Sequence, residues 1–127
     1  MKYQHLIAAS ALDGDEVINA QGDSLGHVKD IMIDVEAHRI AYYVLSFGGI
    51  LGMGDKLFAI PPEAMTLVDE KKDFRYNDTK NFILNVAPEL LEKAEGFDKD
   101  NWPNMADSAF RNKLYEYYGK SGALLSA

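Results

Sequence analysis

A mainly β fold, a small antiparallel barrel with a helical extension at its C-terminus, is what this sequence predicts, and three observations carry the prediction. Leu25–Val35 and Arg39–Phe47 are two β-rich runs separated only by Glu36-Ala37-His38, the pattern of an antiparallel hairpin. Short apolar runs recur between turn signals such as Asp13-Gly14-Asp15 and Gln21-Gly22-Asp23-Ser24. The last forty residues change character, from strand-like runs to helical spacing.

Taken in order, Leu6–Leu12 is apolar and predicts an opening strand, and Glu16–Asn19 a short second one. In the next strand, alternation puts Lys29, Ile31, Ile33 and Val35 on one face and Val28, Asp30, Met32 and Asp34 on the other. Neither set is purely polar, which suits a strand packed inward on one side and partly covered on the other. Asp55–Ile60 reads as a strand stopped by Pro61 and Pro62. Met65–Asp69 follows, and Phe74–Tyr76 and Phe82–Leu84 flank a hairpin turn at Asn77–Asn81, for at most seven strands.

Pro88 suits a first helical turn, so a helix is expected from there to about Gly96. Asp107 is a good N-cap for a second helix ending near Gly119. Phe110, Leu114 and Tyr118 recur at four-residue spacing on that helix and form an apolar stripe. With Trp102 they predict a tail that docks, on its own barrel or on a partner, because so short a helix is marginal alone. The expected organisation is a barrel over residues 1–87 and a helical extension over 88–127.

Composition removes several classes of function. With no cysteine, thiolate catalysis, disulfides and thiolate metal sites are excluded. The chain carries a net charge of −7. Residues 1–69 hold ten acids against four bases, and residues 70–127 ten against nine. An acidic barrel repels a phosphate backbone, so direct nucleic-acid binding is not expected. The apolar runs are shorter than a membrane span, and the N-terminal residues lack a signal-peptide pattern, which makes the cytoplasm the expected compartment.

Phe47-Gly48-Gly49-Ile50-Leu51-Gly52-Met53-Gly54-Asp55 invites comparison with a phosphate loop, but Lys56 is followed by Leu57 and a strand rather than by Ser or Thr and a helix. Its apolar residues suit a contact surface instead. His5, His27 and His38 show no metal-ligand spacing, although His27 and His38 could approach across the hairpin, and Asp13, Asp15, Asp23 and Asp30 lack the closing glutamate of a calcium loop. Asp30 and Asp34 share a strand face that Tyr43 could meet, yet no serine lies in a nucleophile elbow. No catalytic residue, metal or cofactor is expected.

Gly26, Val28, Asp30, Asp34, Tyr43, Gly48, Gly49, Asp55 and Pro61 together give a pattern that resembles the PRC-barrel family. That barrel is found in the cytoplasmic domain of the photosynthetic reaction centre H subunit and in the ribosome maturation factor. The resemblance implies a stand-alone barrel in which Gly26, Asp30, Asp34, Gly48, Gly49 and Pro61 are structural, the first acid helping to fix the hairpin. It also implies an adaptor that binds protein or a small apolar ligand and performs no reaction. The expected partner is a protein, including a second copy, met through Phe47, Ile50, Leu51, Met53, Trp102, Phe110, Leu114 and Tyr118. A ribosome-associated role acting through protein contacts and an accessory role in photosynthetic electron transfer are the alternatives that the family brings.

Overall fold

The computed structural model describes residues 9–12, 14–47, 56–69 and 80–120. Six strands form one sheet in the order β4-β3-β2-β1-β6-β5. They are β1 (Glu16–Ile18), β2 (Ser24–Asp34), β3 (Arg39–Phe47), β4 (Lys56–Ile60), β5 (Met65–Asp69) and β6 (Lys80–Leu84). Helices α1 (Pro88–Lys93) and α2 (Ser108–Lys120) follow. Phe58 and Ile60 at one edge, Met65 at the other and Phe82 between them share a single core, so the sheet is curled into a half-barrel. Leu91 of α1 and Tyr118 of α2 join the same core. Each such fully buried side chain contributes about 1.5–3 kcal/mol.

The strand pairs are antiparallel except β1 with β6, which run parallel with Val17 opposite Phe82. Parallel pairing needs a long connection, and here most of the sheet lies between the two strands in sequence. Asn19 locks this junction. It is buried, its Oδ1 accepts from the Gln21 and Asp23 amides at 3.0 and 2.9 Å, and its Nδ2 donates to the Val86 carbonyl at 3.0 Å.

Several sequence expectations are corrected. Ala9–Ala11 is a 3₁₀ turn rather than strand, residues 6–8 lying outside the described set. The simple two-face alternation of β2 fails, because register shifts between Val28 and Asp30 and between Met32 and Ile33 rotate the strand. Val28 and Ile31, assigned to opposite faces, both pack on the core. The Phe74–Tyr76 strand and its turn, and Gly48 and Gly49, fall outside the described residues, whereas β6 begins at Lys80. Helix α1 stops at Lys93, and Gly96 instead lets the chain approach β4, since a Cβ there would meet the Leu57 carbonyl oxygen at 2.6 Å. Just beyond, Phe97 and Leu57 exchange two backbone hydrogen bonds of 2.8 Å, pairing the outer edge of β4.

The hairpin is fixed by Asp34 rather than Asp30. Asp34 Oδ1 accepts from the Glu36 and Ala37 amides at 3.0 Å each, closing the turn Val35–His38, whose last residue takes φ 58°. Among the described residues Asp30 accepts only from its own neighbour, Ile31. The Ala37 amide first, with the Glu36 amide and the charges of Arg39 and His38, holds the Asp34 carboxyl below its ordinary 3.8 against an opposing effect of desolvation that is second in size. A lowered folded value means that the stabilisation is present above 3.8 and is lost as pH falls through the folded value. Asp34→Ala is therefore expected to lower the urea midpoint at neutral pH, by an amount that shrinks in strong acid to the part a neutral acceptor oxygen supplies. Asp34→Asn, which keeps the acceptor oxygen, should hold most of the turn. An Asp34→Ala deficit that stays constant down to strong acid would contradict this.

Candidate functional site

A groove of about 540 Å³ opens between the β2–β3 hairpin and α2. Its floor is Met32, Ile40, Ala41 and Tyr42 of the sheet. Pro62 and Glu63 of the short 3₁₀ turn Pro62–Ala64 close one side, and Met105, Ala106, Arg111 and Tyr115 close another. Pro61 ends β4, is buried, and sets the entry to that turn.

The wall made by α2 is held at several points. Asp107 caps the helix, its Oδ1 accepting from the Ala109 amide at 3.1 Å. The Tyr115 hydroxyl donates to Glu63 Oε1 at 2.6 Å. Burial first, and then the Glu63 carboxylate, push the Tyr115 phenol up to about 12, so it remains a donor at neutral pH. Phe110 meets the Tyr42 ring edge-on at 5.9 Å, and the Tyr117 hydroxyl donates to the Leu90 carbonyl at 2.5 Å. The Arg111 guanidinium lies 4.4 Å from the centre of the Tyr115 ring.

The residues expected to form one contact surface are dispersed. Phe47 is half-buried against Phe58, and Ile50, Leu51 and Met53 lie outside the described residues. Phe110 covers Tyr42 on the outer side of the sheet, Leu114 packs against the core, and Tyr118 is 1% exposed within it. Tyr118 therefore offers nothing to a partner, because its spacing on the helix turns it inward. Trp102, expected to dock on the barrel or on a partner, is 39% exposed; it leans on Phe97 at 5.1 Å and its Nε1 donates to the Lys99 carbonyl at 3.0 Å. The aromatic anchor of the connector is local.

Among the described residues the hairpin carries the two most exposed large apolar side chains: Ile33 is 54% and Val35 76% exposed, both at the groove rim. Sequence reading placed them on a mixed strand face and did not single them out. The signal was there in two β-branched residues flanking an Asp-initiated turn, but the bulge after Met32 decides which way they face. His27 pairs with Ser46 whereas His38 ends the turn, so the two imidazoles stand at opposite ends of the hairpin. Tyr43 is tilted against Phe82 inside the core and does not face the exposed Asp30. Among the described residues no three His, Asp or Glu side chains gather as a metal ion would require.

The sheet order, the glycine-bearing β2 and the proline stop after β4 accompany a match of residues 5–81 to the model of the PRC-barrel domain. The chain belongs to the PRC-barrel family. No curated protein matches it. The PRC-barrel match ends at 81, so Met105, Ala106, Arg111 and Tyr115 lie beyond it, and the groove is made jointly by the PRC barrel and the segment that follows. No helix of the described PRC-barrel chain is long and apolar enough to cross a membrane.

Proposed function

We propose that this PRC-barrel protein is a non-catalytic interaction module of the cytoplasm that associates with a second copy of itself. The observation that carries the reading is the pair Ile33 and Val35, large apolar side chains left in water at the hairpin end. Interface cores favour such residues, and their burial by a partner offsets part of what association costs. The net charge of −7 opposes both self-contact and binding to nucleic acid. At the hairpin, however, Glu36 and Arg39 lie close to the apolar pair, and a two-fold contact can place each opposite the other's counterpart.

The test is sedimentation velocity of the wild type and of the double variant Ile33→Asp/Val35→Asp. Both positions are exposed, so the variant is expected to fold, and the expected result is a dimer that becomes a monomer. A folded variant that remains fully dimeric places the contact elsewhere. A monomeric wild type shifts the reading to a heterologous protein partner, including a basic ribosomal one.

A further inference from the structure

Tyr42 is the residue whose surroundings its fold does not explain. It is 3% exposed, and its ring is held edge-on by Phe110. Buried tyrosine hydroxyls ordinarily find a hydrogen-bond partner. Among the described residues that of Tyr42 has none, and it is not sealed from the groove that the residue lines. Arg111, next in sequence to the Phe110 that touches Tyr42, lines the same groove, and its charge favours the phenolate against the larger effect of burial.

The other polar groups of the groove divide into used and unused. The Asp34 carboxylate is taken by the turn amides, and the Glu63 carboxylate by the Tyr115 hydroxyl. Neither Arg39 nor Arg111 forms an ion pair with a carboxylate among the described residues. Glu36 and the second oxygens of Asp34 and Glu63 add acceptors along the hairpin and turn sides, with Arg39 near Asp34, so the spare donors are the Tyr42 phenol and the Arg111 guanidinium on the α2 side. Beside those donors lies an apolar surface of Met32, Ile40, Pro62 and Met105. A volume of about 540 Å³ falls in the range of small-molecule sites.

We infer that this groove binds a small amphipathic carboxylate, its anionic end on the Tyr42 hydroxyl and the Arg111 guanidinium and its apolar body against Met32, Ile40 and Met105. Guanidinium to carboxylate is a charge-assisted, two-pronged contact, and the phenol adds a third donor. Asp34, Glu36 and Glu63 also line the groove, so a singly charged head group meets less repulsion than a dianionic phosphate. The site goes beyond the self-association reading and does not rest on it, since a monomer retains the groove intact.

The experiment is an amide NMR titration of the full chain near neutral pH with 4-phenylbutyrate, 4-phenylbutanamide and 4-phenylbutyl phosphate. Saturable shifts are expected at groove residues, with the acid binding about tenfold tighter than the amide and tighter than the phosphate. Tyr42→Phe keeps the ring against Phe110, and Arg111→Gln changes an exposed residue, so both variants should fold. Each should weaken the acid about fivefold or more, whereas Lys113→Gln on the same helix should not. The inference is overturned by an absence of saturable groove shifts at roughly 10 mM acid. Equal binding of acid and amide, tighter binding of the phosphate, or wild-type affinity in both folded variants overturns it as well.

Discussion

Gly26→Val is expected to destabilise the protein by more than about 3 kcal/mol, enough to leave much of it unfolded. Gly26 adopts φ +108°, a conformation that L side chains rarely take. A Cβ at this point would also overlap the Ser46 carbonyl oxygen and sit 3.0 Å from its carbon and 3.1 Å from the Phe47 Cα. Those are backbone atoms of the neighbouring strand, so no rotamer change relieves the overlap. Gly22 is the control: its φ is +90°, but nothing lies within 4 Å of its would-be Cβ. Gly22→Val should therefore show strain alone, on the order of 1 kcal/mol. Urea midpoints compared at constant m settle the matter, and similar losses at both positions would falsify the close approach described at Gly26.

Tyr118→Ala is expected to cost about 3–5 kcal/mol and to lower Tm by roughly 10 °C or more. The ring is among the largest fully buried side chains, shares the core with Leu91, and lies edge-on to Tyr117 at 5.1 Å. Burial, with a smaller contribution from Tyr117, pushes its phenol well above the ordinary tyrosine value of 10.0, as expected of a hydroxyl removed from water. Trp102→Ala should cost less than Tyr118→Ala, on the order of 1 kcal/mol, because that ring rests on Phe97 outside the core and keeps 39% of its surface in water. Equal shifts in Tm for the two variants would mean that the tail is docked differently.

That contrast shows where sequence stopped being legible. Both residues are large aromatics in the tail, and spacing identified the stripe containing Tyr118, but only tertiary packing separates the ring in the core from the ring on the surface. The β2–β3 hairpin was legible because β-rich composition and turn chemistry are local, and so was the stop at Pro61. The bulges of β2 were not, since an extra residue in one strand leaves no mark on composition. Of the groove, the sequence showed neither Tyr42 nor Arg111, which come together only when α2 crosses the sheet. Nor did it show Asn19, whose partner Val86 lies 67 residues away.

The parallel seam between β1 and β6 sets the order in which the molecule can assemble. The meander β2–β3–β4 needs only neighbouring chain, and hairpins of that kind form within microseconds. Pairing Val17 with Phe82 instead requires closing a loop that contains nearly the whole sheet, an entropic barrier that rises with the separation of the partners. During synthesis the first half must therefore wait, its inward apolar face uncovered, until the chain has grown past Val86 and Asn19 can fasten the two halves. A chain stopped within that interval lacks the β6 partner of β1, and apolar surface left uncovered in this way favours aggregation.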